Sequence, residues 1–176
     1  MDIIIRKLQP HESAIYREVV LACLKNAPGF FGTTYEEAVL NPKFSSETYI
    51  ETSSPDHVMF GAFAEERLIG ITGLNRMARK RASHRGEVVQ VYVEPAHRGQ
   101  NIGEKLLRHA LDYAFGLDGI EQVQLSVITS NTTAIKLYEK LGFKTFGVQS
   151  KYFKVDNGYL DQQFMQLFKS DYPPCH

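Results

Sequence analysis

Residues 91–103 read Val91-Tyr92-Val93-Glu94-Pro95-Ala96-His97-Arg98-Gly99-Gln100-Asn101-Ile102-Gly103. A valine-rich strand stops at Pro95, a short polar loop with two glycines follows, and a helical stripe starts at Ile102. Such a loop turns successive backbone N–H groups outward at the positive end of a helix dipole, a ready site for phosphate. Each favourable charge–dipole contact is worth about 0.3–1 kcal/mol. A Walker A loop would need Gly-Lys-Ser/Thr, which is absent, and a Rossmann fingerprint lacks its first glycine here. Two glycines alone are equally consistent with an ordinary strand-to-helix turn.

Working outward, Ile102, Leu106, Leu107, Ala110, Leu111, Ala114 and Phe115 form one apolar stripe, predicting a helix over Ile102–Phe115. Gln122–Ile128 reads as a strand. Asn131–Leu141 reads as a helix ended by Gly142, a favoured residue just past a helix end. Phe143–Phe153 and Tyr159–Phe168 read as strands around an Asp156-Asn157-Gly158 turn, a strong hairpin signal. Upstream, Glu87–Glu94 is a strand, and His57–Ala64 and Arg67–Leu74 are two more joined at Glu65-Glu66. Asp2–Leu8 reads as the first strand. Pro10 suits a helix start, and Ala14, Ile15, Val19, Ala22 and Cys23 continue it to about Asn26. Ala27-Pro28-Gly29 breaks that helix. Thr33 or Thr34 with Glu36 or Glu37 predicts a capping box for a short second helix, and Ser45 or Ser46 a cap for a third ending near Thr52. This order predicts an α+β fold with a mixed sheet and helices on its faces, not a fully parallel doubly wound sheet. With no repeat or linker, residues 1–169 read as a single domain and 170–176 as a loose tail.

The composition fits one soluble globular domain: 176 residues, 43% hydrophobic and 23% charged. Twenty basic residues balance twenty acidic ones, so the net-basic field usual for nucleic-acid binders is missing. No apolar run approaches the ~18 residues that span a bilayer, and the first residues lack a secretory signal pattern. Cys23 and Cys175 have no paired spacing and read as reduced thiols of a cytoplasmic protein. The six histidines show no metal-ligand spacing, so no metal is expected.

Arg98-Gly99-Gln100-Asn101-Ile102-Gly103 resembles the Gln/Arg-x-x-Gly-x-Gly/Ala signature of the GNAT superfamily of N-acetyltransferases. Asn131, Ala134 and Leu137-Tyr138-Glu139-Lys140-Leu141-Gly142-Phe143 resemble that family's second cofactor motif. The resemblance is strong over Gly86–Phe146 and weaker on the flanking arms. It implies a GNAT-like splayed sheet and transfer of an acetyl group from the co-substrate acetyl-CoA to a primary amine of a small molecule or peptide. One position departs from the signature: Asn101 stands where the family usually has Gly. Asn is the next most tolerant residue for a left-handed backbone, so the loop is expected to survive. The departure also leaves a second reading, a non-catalytic acetyl-CoA-binding sensor.

By the same resemblance, cofactor binding falls to Val91, Tyr92, Val93, Arg98, Gly99, Gln100, Asn101, Ile102, Gly103 and Asn131. Val91 would donate to the thioester carbonyl and Val93 to the pantetheine arm; both can equally pair within a sheet. Asn131 would bond the pantetheine amides, or simply cap its helix. Glu87, opening the strand before the loop, is the candidate general base; a solvated strand-start carboxylate is the plainer reading. Tyr138 is the candidate acid for the departing sulfur. It shares a helix side with Ala134 and Leu141, so a core tyrosine is the alternative. No residue is suited to an acyl-enzyme, which points to direct transfer. The aromatic helix break around Phe31 and Tyr35 corresponds to the family's acceptor wall, with Tyr152 opposite; each of the three also suits a packed core.

The run Arg76, Arg79, Lys80, Arg81, His84 and Arg85 reads as a solvated basic loop. Contacts with nucleic acid, cofactor phosphates or an acidic substrate are the sharper alternatives. His97 reads as a surface residue. The expected partners are the amine acceptor and, through an open edge of the final hairpin, a second copy in a homodimer, with no nucleic acid and no membrane.

Overall fold

The computed structural model describes residues 2–173. The two apolar runs of the first half form β2 (His57–Ala64) and β3 (Arg67–Arg76). Both are buried along nearly their whole length, the pattern of strands covered on two faces. Alternation divides their side chains: Val58, Phe60, Ala62 and Ala64 enter one core layer, and Met59 and Phe63 the other. Around them lie β1 (Ile3–Lys7), β4 (Arg85–Val93), β5 (Gln122–Ile128), β6 (Lys144–Val155) and β7 (Gly158–Phe168). The sheet order is β1-β2-β3-β4-β5-β7-β6. Neighbours run antiparallel at every step except β4–β5, which is parallel. The sheet is therefore mixed, as the order of elements predicts. The closing hairpin pairs Val155 with Gly158, leaving Asp156-Asn157 as a two-residue loop.

One face is covered by α4 (Ile102–Gly116), whose predicted stripe is buried from Ile102 to Phe115 against Phe60, Ile69, Leu74 and Val88. The helix α5 (Thr132–Lys140) and its end join the same layer through Tyr138 and Leu141. The other face carries α1 (Ser13–Asn26), α2 (Tyr35–Leu40) and α3 (Ser45–Glu51). There Tyr16, Val20, Cys23 and Leu24 pack over Phe63, Leu68 and Ile71. Burial pushes the Cys23 thiol up to about 12, which keeps it protonated. Cys175 lies outside the described residues.

Three expectations change, and one alternative falls away. The cap of α3 is neither Ser45 nor Ser46. Glu47, buried and paired with Arg17 at 2.8 Å, accepts the Phe44 N–H at 2.7 Å and so sets Phe44 at the N-cap. The tail is not loose from Ser170. Lys169–Asp171 makes one 3₁₀ turn, and Tyr172 packs on Phe115 while donating to Asp112 at 2.8 Å; residues 174–176 lie outside the described residues. His97 is not a surface residue, for its side chain is 14% exposed and sits 3.5 Å from Glu94. The basic run lies away from the 98–103 loop. Arg67, at the loop's end of β3, pairs with Glu94, whereas Arg76, at the far end, bonds the carbonyls of Ser83 and Asp118. Contact of that run with phosphates at the loop is thereby excluded; Arg79, Lys80 and Arg81 are exposed. Among the described residues, no helix is long and apolar enough to cross a membrane.

Candidate active site

β4 and β5 pair at Arg85–Gln122, Gly86–Val123 and Glu87–Gln124, and then separate. The cause lies within β4. Its pairing with β3 slips between Tyr92 and Val89, and Gln90 takes a left-handed backbone at φ 54°. For a residue other than glycine that conformation costs about 1–3 kcal/mol and is held by its surroundings. Here buried Tyr16 donates to Gln90 Oε1, fixing the bulge against α1. A bulge bends its strand and re-aims side chains, so the outer half of β4 leaves β5.

The gap is a groove of about 280 Å³. Glu87 and Val91 enter it from β4, Asn131 and Tyr138 from the start and body of α5. Phe31 closes it from the α1–α2 connection, and Tyr152 from β6. A second bulge presents Tyr152: the β6–β7 register shifts between Gln149 and Phe153, and Lys151 has φ 55°. Gly32 brings the α1–α2 connection against β6, where a Cβ would stand 2.7 Å from Phe153 Cζ. Six residues singled out in the sequence thus share one groove.

Glu87 is half-buried, and loss of solvent raises its carboxyl above the ordinary value. Tyr138 is buried, which pushes its phenol up as well. Its ring meets Phe143 edge-on, and its hydroxyl has no hydrogen-bond partner among the described residues. Asn131 Oδ1 accepts the Ala134 N–H at 3.2 Å, so the helix cap is made; its Nδ2 has no partner among the described residues. The Val93 carbonyl faces away from β3 and receives Arg98 Nε at 3.0 Å. Glu94 N–H goes to Ile69 on β3 at 2.9 Å, so alternation turns the Val93 amide toward the open side.

At the loop, Gly99 has φ 78° and Asn101 φ 58°. Asn101 is the N-cap of α4 in the left-handed region, the backbone that its type tolerates, and its side chain makes no cap bond. Lys105 is the first amide of α4 to find an acceptor, bonding Asn101 O at 3.0 Å. The amides of Ile102, Gly103 and Glu104 precede it and have no intrahelical acceptor. A Cβ at Gly103 would stand in van der Waals contact with Leu137, at 3.5 Å, and with Val93, at 3.8 Å, whereas a Cβ at Gly99 would meet nothing within 4 Å. Gln100 is exposed beside it.

Two predicted residues lie elsewhere. The Tyr92 side chain is buried in the layer beneath α1, because alternation points it to that face. Tyr35 is the first residue of α2 and is not among the residues lining the groove. Gln90, Ser126 and Gln162 line the groove without having been singled out. Gln90 had a signal, a lone amide within Val88-Val89-Gln90-Val91; Ser126 and Gln162 had none. Among the described residues, no group of His, Cys, Asp or Glu is arranged to hold a metal.

By shape, this is an acetyltransferase fold. The chain superposes on the acetyltransferase of the GNAT family from Streptococcus pneumoniae with a TM-score of 0.81, at 23% identity, covering 95% of this chain and 99% of that one. The phosphinothricin acetyltransferase of Sinorhizobium meliloti, solved in complex with AcCoA, gives 0.77 at 22% identity, covering 99% and 94%. The sequence carries the assignment further. The profile of the acetyltransferase (GNAT) family matches residues 24–143, and the chain belongs to that family. It is 37% identical over 105 residues to the N-alpha-acetyltransferase RimI of Mycobacterium tuberculosis, a match spanning 60% of this chain and 63% of that relative.

Proposed function

We propose that the protein moves the acetyl group of acetyl-CoA directly to a primary amine of a small molecule or peptide. The carrying observation is the groove itself, where a desolvated carboxylate and a desolvated phenol face the space left by the departing strand. The loop suits a diphosphate: unspent amides at Ile102–Glu104, left-handed turns at Gly99 and Asn101, and open space at Gly99. Arg98 and Gln100 flank it. Acetyl-CoA supplies an activated thioester; the chain's residues supply the rest.

A lysine-like amine near pKa 10.4 costs roughly 4–5 kcal/mol to neutralise at pH 7, and an α-amine near 8 about 1 kcal/mol. Glu87 accepts that proton, directly or through water, and its raised pKa makes it the stronger base. The Val91 amide lies on the stretch of β4 with no partner on the β5 side and serves as oxyanion donor. The Val93 amide and Asn131 Nδ2 hold the pantetheine arm. Tyr138 presents its O–H to the departing sulfur. The left-handed Asn101 keeps the loop formed, which supports the binding of acetyl-CoA. The test is acetyl-CoA-dependent thiol release over a panel of amines and short peptides. Release no faster than hydrolysis with every acceptor overturns the proposal.

Glu87→Gln lowers kcat/KM on a lysine-like amine about 10²-fold. It also removes the acid limb, which lies above the usual carboxylate range, from the pH profile. A group with a raised folded pKa favours the fold below its unfolded pKa, and that stability is lost as pH rises through the folded pKa. Gln carries no such penalty. The variant therefore melts higher than the parent at pH 7, and the advantage disappears near pH 4. An unchanged pH profile contradicts the base role.

Asn101→Ala places a side chain without local hydrogen bonding in the left-handed region, at a cost of about 1–2 kcal/mol. Calorimetric titration with CoA is expected to show at least fivefold weaker binding, while Asn101→Gly binds as tightly as the parent or more so. Equal affinities for all three contradict the loop's assigned role.

A further inference from the structure

A second space, larger than the groove, lies between α1, α2, α3 and the face of β3, with a volume of about 740 Å³. It shares Phe31, Gly32 and Gln90 with the groove, so one layer of residues separates the two. Its inner wall is apolar: Val20 and Leu24 of α1, Ile71 of β3, and Phe44. Cys23 adds a thiol kept neutral by burial. The acid lining it is Glu37, whose Oε2 already accepts the Thr34 N–H at 2.9 Å in the cap of α2. The acid lining the groove is Glu87.

We propose that this cavity receives a bulky apolar substituent of the acceptor, so that the protein acts on primary amines bearing a branched or aromatic group beside the amine. The inference rests on the acetyl-transfer reading above. A polyamine needs a carboxylate or other acceptor for each ammonium it buries. Of the two carboxylates lining the spaces, Glu87 is used by the reaction and Glu37 caps α2. The hydroxyls of Thr33, Ser45 and Ser46 and the Gln162 Oε1 are neutral acceptors that leave a second ammonium without a counter-charge. A hydrocarbon group needs only removal from water, and Val20, Leu24, Ile71 and Phe44 provide that. Gln90, held by Tyr16, marks the junction, with the amine on the Glu87 side and the substituent on the α1 side.

The test compares glycinamide, leucinamide, phenylalaninamide and spermidine as acceptors of the parent protein. Leucinamide and phenylalaninamide are expected to exceed glycinamide in kcat/KM by about tenfold or more, the scale of burying one such side chain, with spermidine lowest. Glycinamide or spermidine as best acceptor overturns the apolar cavity while leaving acetyl transfer standing. No release with any of the four removes both. Ser46→Phe narrows the cavity from α3, and Thr33→Trp narrows it from the exposed α1–α2 connection, so one folded variant suffices. Either is expected to reduce the leucinamide-to-glycinamide ratio at least about fivefold; a folded variant with the parent's ratio overturns the proposal.

Discussion

Tyr138→Phe lowers kcat by about 10²–10⁴-fold, the range for loss of a positioned proton donor, and leaves the unfolding free energy within ~0.5 kcal/mol of the parent. The two halves of this expectation come from the same observation. The hydroxyl has no hydrogen-bond partner among the described residues, so the fold loses nothing when it goes; the ring, packed against Phe143, stays. Burial pushes the phenol above its ordinary value near 10, so it is protonated at every working pH. A free thiol near 8.5 is the stronger acid, and outright proton transfer between these reference values would be uphill. Desolvation in the groove penalises a thiolate as it does a phenolate, so it raises both and leaves that order in place. Tyr138 therefore acts first as a hydrogen-bond donor to developing charge. A kcat within threefold of the parent, with melting unchanged, returns Tyr138 to the role of a core residue.

Leu106→Ala is expected to cost about 2–5 kcal/mol, the range for emptying a fully buried leucine site. For a domain of this size each kcal/mol moves Tm by roughly 2–4 °C, so the loss is readable by melting. Leu106 is wholly buried on the stripe of α4, among Ile69 and Val88 of the central strands. Its Cδ1 stands 3.1 Å from where a Cβ on Gly70 would lie, and that Cβ would also come within 2.9 Å of the Tyr92 carbonyl oxygen, so the strands admit only glycine there. The helix, β3 and β4 are locked together there, which leaves little freedom for the cavity to collapse. A loss below about 1 kcal/mol contradicts this account of the packing.

The parts legible in the sequence were those written in local patterns. The spacing Ile102–Phe115 and the Asp156-Asn157-Gly158 turn name a helix and a hairpin by chemistry that acts within a few residues. Thr34 and Glu37 do the same for α2, where each bonds the other's backbone N–H. The groove's residues were legible only through resemblance, since Glu87, Asn131 and Tyr138 lie far apart along the chain. What escaped depends on distant partners. The left-handed Gln90 needs Tyr16, 74 residues away. The Phe44 cap needs Arg17 to hold Glu47, and the tail needs Phe115 and Asp112. Tyr35 looked like part of an aromatic wall because its neighbour Phe31 is one, but the start of α2 carries it away.

The three-residue seam between β4 and β5 also governs how the molecule moves. On one side lies a four-stranded antiparallel unit, on the other a three-stranded one, and within each the strands pair over five or more residues, interrupted by bulges. Opening at the seam breaks fewer backbone bonds than opening inside either unit. Low-cost fluctuations of a native protein run along such boundaries, between cooperative units rather than through them. The two units are therefore expected to move against each other more readily than either deforms, with α4 packed across the central strands behind them. Such a motion would change the width of the groove, with Glu87 held at the last paired position and Val91 on the unpaired stretch beyond it.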